Sequence, residues 1–188
     1  ELDAAIESYK QVLKIKPDYA ETYYNIGSAL RDKGELDAAI GAFKQALEIK
    51  PDFSDAFYNM GNALQDKAEL DAAIDSFKET LKINPNHVEA YNNMGNALKN
   101  KGELNAAIDS YKEAIKIKPD FSDAFYNMGN TLRDKGELDA AIDSFKETLQ
   151  IDPNYTAAYN NMGIILSNHK FTKPAPGLQE IITSLLNR

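Results

Sequence analysis

The amino-acid sequence predicts an all-α fold, a solenoid built from 34-residue helix-turn-helix repeats. Three observations lead there. Pro17, Pro51, Pro85, Pro119 and Pro153 recur every 34 residues, and a fixed period of that length marks repeat architectures. Within each period, apolar residues fall twice at helical spacing. Alanine, leucine, isoleucine, lysine, glutamate and aspartate dominate a composition with only 7 prolines and 10 glycines, a mixture that favours helix.

In chain order, residues 1–16 read as the second helix of a truncated repeat, with Ala5 and Tyr9 in the expected places. The face carrying Ile6, Tyr9 and Leu13 is therefore expected to be bare. Because the chain opens on Glu1 partway through a repeat, the true amino terminus is expected to be missing. Four full repeats follow, over residues 17–50, 51–84, 85–118 and 119–152. Residues 153–169 read as the first helix of a degenerate repeat, beginning normally with Tyr159, Met162 and Gly163. Lys173-Pro174-Ala175-Pro176-Gly177 falls where its second helix should run, so residues 170–188 form a non-repeat tail. In that tail Leu178, Ile181, Ile182 and Leu185 make an apolar helical face expected either to cap the array or to lead into a further domain.

In the first full repeat, Tyr23, Ile26, Gly27 and Leu30 form the apolar stripe of a first helix, and Leu36, Ala39, Ile40, Phe43 and Leu47 that of a second. Gly34 suits the left-handed residue that ends the first helix. Ala68 stands at the same turn in the next repeat. Asp18, Asp52 and Asn86 each precede an acid by three residues and suggest a capping box at the first helix's start. Gly27 and Ala39 are expected to let paired helices approach, with Tyr23 and Phe43 filling the gaps between hairpins. One hairpin cannot bury such faces alone, so neighbours must stack.

The net charge of -8 repels phosphate backbones and anionic lipid, which argues against nucleic-acid partners. No apolar run approaches the roughly 20 residues that cross a bilayer, so no membrane insertion is expected. The chain has no cysteine. No phosphate-loop or metal-ligand spacing appears, and neither a cofactor nor a metal is expected. His87 in an inter-repeat turn and His169 near the end of the array are read as surface residues with no nearby nucleophile, so no catalytic residue is assigned. Repeated acid pairs such as Glu35 and Asp37 answer a helix dipole.

Tyr23, Ile26, Gly27, Leu30, Ala39, Phe43, Ala46 and Pro51, with their counterparts in the later repeats, resemble the signature of the tetratricopeptide repeat. The resemblance covers about residues 1–168. It departs from the pattern at Thr80 and Thr148, which replace a small alanine, and at Ala68, which replaces the turn glycine. It implies a right-handed solenoid whose concave groove is lined by the polar stripe Glu21, Asn25, Ser28 and Asp32. The centre of that stripe carries Asn25, Asn59, Asn93, Asn127 and Asn161, with Asn62, Asn96 and Asn130 one turn later. The set resembles the asparagine ladder in the tetratricopeptide region of O-linked N-acetylglucosamine transferase, which grips extended peptide backbones.

A carboxamide donates and accepts, so a row of them suits main-chain recognition. The alternative is that the asparagines bond between helices or face water. In the groove reading, replacing Asn59, Asn93 and Asn127 by alanine leaves the fold intact. Tyr24, Tyr58 and Tyr126 lie beside the ladder, placed either to pack on a peptide or to cover the neighbouring hairpin. Glu21, Asp55, Glu89 and Asp123 argue against a terminal-carboxylate clamp and for a neutral or basic segment.

The function expected is therefore a non-catalytic scaffold that binds a protein or peptide, in the cytoplasm. Two alternatives stay open: the substrate-recruiting region of a larger enzyme such as a transferase, and a self-assembling structural protein that forms homo-oligomers through exposed solenoid ends.

Overall fold

The computed structural model describes residues 1–168; the tail and its expected capping helix, like His169, lie outside them. The described residues hold ten α-helices and no strand. They divide into two compact units, Glu1–Pro119 and the described part of Asp120–Arg188.

The first unit contains α1 (Leu2–Ile15), α2 (Ala20–Asp32), α3 (Leu36–Ile49), α4 (Ser54–Asp66), α5 (Leu70–Ile83), α6 (Val88–Lys101) and α7 (Leu104–Ile117). The second contains α8 (Ser122–Lys135), α9 (Leu138–Ile151) and α10 (Thr156–Asn168). In the first unit α2 pairs with α3, α4 with α5 and α6 with α7, while α1 packs on α2, α3 on α4 and α5 on α6. The first helices also touch one another, α2 with α4 and α4 with α6, so they share one face. In the second unit α8 pairs with α9 and α10 packs on α9. This is the all-α solenoid packing that the period predicts.

Each hairpin closes on one ring. A Cβ placed on Gly27 would lie 2.7 Å from Phe43 Cδ1, and on Gly61, Gly95 and Gly129 it would lie 2.7, 2.5 and 2.7 Å from Phe77, Tyr111 and Phe145. All four rings are fully buried. Phe43 and its counterparts therefore fill space within their own hairpin, not between hairpins. The reason is that glycine, lacking a side chain, leaves a seat only its partner helix can reach.

The turns behave as read. Gly34, Gly102 and Gly136 have φ of 79°, 87° and 82°, and Ala68 is left-handed as well at 60°. At each, the following N–H bonds back around the turn, as Glu69 N does to Leu64 O at 2.9 Å, the Schellman pattern that satisfies orphan carbonyls.

The helix starts differ. The N-caps are Tyr19, Phe53, His87 and Phe121, one residue past the expected acid or amide. Of these only His87 caps with its side chain, accepting from Ala90 N–H at 3.3 Å. No capping box forms at Asp18, Asp52 or Asn86. At Tyr19, Phe53 and Phe121 the N-cap backbone carbonyl takes the first-turn N–H instead, as Phe53 O does from Ala56 N at 3.0 Å. The capping place is thereby left to residues that pack. Tyr24 meets Phe53 at 5.1 Å between ring centres and Tyr58 meets His87 at 4.6 Å.

Thr80 and Thr148, fully buried at the alanine position, stay satisfied because each hydroxyl donates back along its own helix, to Ser76 O and Ser144 O, both at 3.0 Å. Lysines tie successive repeats together on the outside of the turns. Lys33 bonds Asp3 and Glu35, Lys67 bonds Asp37 and Glu69, and Lys101 bonds Asp71 and Glu103. These carboxylates hold the lysine ammonium groups above their ordinary range, and Lys33 holds Asp3 below its own.

Candidate functional site

The ladder residues sit one per first helix: Asn25 on α2, Asn59 on α4, Asn93 on α6, Asn127 on α8 and Asn161 on α10, all half-buried. Contact between α2 and α4, and between α4 and α6, brings the first three to one face of the first unit. Asn127 and Asn161 belong to the second unit.

Asn59, Asn93 and Asn161 are already engaged. Asn59 Nδ2 donates to Tyr24 Oη at 3.0 Å and to Asp55 O at 3.0 Å, and Asn59 Oδ1 accepts from Arg31 Nη1 at 2.7 Å. Asn93 Nδ2 donates to Tyr58 Oη at 3.1 Å and to Asn62 Oδ1 at 2.9 Å. In the second unit Asn161 Nδ2 repeats the pattern with Tyr126 Oη at 3.1 Å and Asn130 Oδ1 at 2.7 Å. These three asparagines are thus bonded between repeats, so they contribute to stacking, and at Asn59 and Asn93 the expectation that alanine leaves the fold intact does not fit this geometry. Asn62 and the buried Asn130 are the acceptors in these pairs. Asn96 instead takes the hydroxyl of buried Tyr111, in its own hairpin, at 2.8 Å.

Each ladder tyrosine is wedged between two rings. Tyr24 lies 6.0 Å from Phe43 and 5.1 Å from Phe53. Tyr58 lies 6.1 Å from Phe77 and 4.6 Å from His87, and Tyr126 lies 5.9 Å from Phe145 and 4.8 Å from Tyr155. They cover the next hairpin's entry while keeping their hydroxyls at the ladder. His87 is correspondingly not a surface residue: its side chain is 14% exposed and its Nδ1 lies 3.3 Å from Glu89.

The acidic edge is partly answered. Glu21 lies 3.3 Å from Lys50 Nζ, and its own backbone N–H with that lysine holds its carboxyl below the usual range. Asp123 accepts from Tyr155 Oη at 2.9 Å; burial first, then this bond, pushes the phenol up. Asp55 and Glu89 are exposed.

Sequence reasoning missed Arg31 and Lys50. The first occupies a position seven residues beyond a ladder tyrosine, where a polar side chain recurs as Gln65, Lys99 and Arg133. That recurrence was the available signal. Among the described residues no cluster of histidine and carboxylate is arranged to hold a metal ion, and no helix is long and apolar enough to cross a membrane.

The profile of the TPR repeat matches residues 1–30, 27–67, 61–102 and 95–132, and that of the tetratricopeptide repeat matches residues 122–155. No curated protein matches the chain. Among solved structures, it is similar to MamA at 31% identity and a TM-score of 0.78, with 83% of this chain and 91% of that one covered. It is also similar to YrrB, described as a TPR protein with an unusual peptide-binding site, at 26% identity and a TM-score of 0.76, covering 86% and 84%. A MamA from Desulfovibrio magneticus shares the fold at 19% identity and a TM-score of 0.77, covering 82% and 87%. With four overlapping matches and a fifth running through most of its length, the chain belongs to the tetratricopeptide-repeat family.

Proposed function

We propose that this protein is a binding scaffold that holds an extended protein or peptide segment against the ladder face of its first helices, without catalysing a reaction on it. One observation carries the reading: polar side chains able to bond a main chain recur at one place per repeat, as Asn25, Asn59 and Asn93 do on α2, α4 and α6. Evenly repeated carboxamides and hydroxyls suit a ligand whose own amides repeat, whatever its side chains. The likeness to YrrB, described as a TPR protein with an unusual peptide-binding site, supports the same reading.

The exposed carboxylates Asp55 and Glu89 beside the ladder favour a neutral or basic segment. A second reading, self-association, is favoured by α1, where Leu2 and Val12 are each 38% exposed and Ile15 is 87% exposed.

The test is selection of random displayed peptides on the immobilised 188-residue chain, followed by binding titrations. Asp55 is exposed, so Asp55→Lys keeps the fold while reversing a groove charge. Selected peptides should be neutral or basic and should bind Asp55→Lys several-fold more weakly. Recovery of no peptide, or of peptides indifferent to Asp55→Lys and to the ladder variants below, would remove the groove reading.

A further inference from the structure

The ladder's hydrogen-bond inventory divides donors from acceptors. Asn59 is fixed in orientation from both sides, because Arg31 only donates and the Asp55 carbonyl only accepts. The atom facing Tyr24 is therefore Nδ2, and Tyr24 Oη is the acceptor. Both hydrogens of that Nδ2 are spent inside the protein. Asn93 and Asn161 spend theirs in the same way, one on a tyrosine oxygen and one on the carboxamide of Asn62 or Asn130. What these asparagines retain is acceptor capacity, since an amide oxygen has two lone pairs, of which Asn59 Oδ1 uses one on Arg31 and Asn93 Oδ1 one on Asn92 at 3.2 Å.

A phenol that accepts a bond still holds its own O–H hydrogen. Tyr24, Tyr58 and Tyr126 each accept from an asparagine, and each ring is held between two aromatic neighbours. The hydroxyls are thus fixed in place beside the ladder.

We propose that the hydroxyls of Tyr24 and Tyr58 in the first unit donate to main-chain carbonyls of the bound segment, while the ladder asparagines of that unit serve as acceptors for its N–H groups. This rests on the groove reading above and refines it: the ladder's donors are phenols, not carboxamides. Asn92 and Asn160 stand at the tyrosine position in the remaining repeats, so carbonyl reading is confined to the repeats that keep the phenol. A ligand is then recognised by carbonyls presented at those repeats.

The experiment uses a peptide selected on the full wild-type chain, remade as a series with one backbone amide at a time replaced by an ester. An ester lacks the N–H and is a weaker carbonyl acceptor. Each peptide is titrated against wild type, Tyr58→Phe and Tyr24→Phe, with melting of the free proteins followed alongside. Tyr58→Phe should weaken the all-amide peptide about two- to tenfold, the worth of one net hydrogen bond. One ester that weakens binding to wild type should lose part of its effect on Tyr58→Phe, and a different one should lose part of its effect on Tyr24→Phe. If every ester keeps its full effect on both variants, the tyrosines act only through stacking, which overturns the proposal and leaves the groove reading standing. If neither phenylalanine variant changes binding, the proposal is likewise overturned. If Asp55→Lys is also without effect, the groove reading falls with it.

Discussion

At the residue scale, one turn position and one seat position place opposite demands on a Cβ. Ala68 carries a Cβ in the left-handed region, φ 60°, where its counterparts are glycine. Ala68→Gly should stabilise the protein by roughly 1 kcal/mol, because the left-handed cost of about 1–2 kcal/mol outweighs the extra unfolded-state entropy of glycine. A calorimetric melting temperature at or below that of wild type would contradict it. Gly61 has the opposite constraint, since an added methyl meets the Phe77 ring at 2.7 Å. Gly61→Ala should cost about 1–3 kcal/mol as overpacking, despite alanine's better helix propensity; urea denaturation checks it, and an unchanged midpoint would mean that the ring yields freely.

At the element scale, first helices are joined through the ladder and turns through the lysines. Asn93→Ala removes donors to Tyr58 and Asn62 at once. At about 0.5–1.5 kcal/mol for each bond, less a helix-propensity gain of up to about 0.7 kcal/mol, the net loss should be about 0.3–3 kcal/mol. The urea midpoint should fall, where a purely water-facing asparagine would leave it level or higher.

The ion pairs give a pH signature with opposite signs at the two ends. Lys33, Lys67 and Lys101 are raised, so their contribution is complete below the ordinary lysine value of 10.5 and is lost as pH climbs through the raised values. Asp3 and Glu21 are lowered, so theirs is complete above ordinary values of 3.8 and 4.5 and is lost as pH falls through the lowered ones. Melting temperature should therefore be flat between these limits and decline outside them. The declines should shrink in high salt, because every one of these groups is solvated.

At the scale of the whole molecule, the exposed apolar side chains of α1 bear on association. The face of Ile6, Tyr9 and Leu13, expected to be bare, is covered instead, because Ile6 is buried with Ile26 and Ala29 and Tyr9 and Leu13 pack against them. What α1 exposes is Ile15 almost fully, with Leu2 and Val12 partly so, and exposed apolar side chains promote association. Light scattering at rising concentration should show species larger than a monomer, and Ile15→Lys with Val12→Glu should reduce them. A monomer at all concentrations, in both proteins, would exclude α1 as a self-association surface.

The sequence by itself determined the period, the two helices of each repeat and the left-handed turns, Ala68 included. These follow from local chemistry: proline stops a helix, apolar residues at helical spacing need one buried face, and the residue after a helix turns most cheaply with positive φ. It also placed the asparagines and tyrosines together, since one position per repeat becomes one face once helices stack. Tertiary structure alone decided the rest. The Phe43 ring lies within its hairpin because Gly27 opens a seat there, and the helix starts one residue late because Phe53 and His87 pack on the preceding repeat's tyrosine. The carboxamides spend their donors internally because the stagger of neighbouring helices sets a phenol and a second carboxamide about 3 Å away. Stagger is a relation between helices, so no single repeat's sequence could state it.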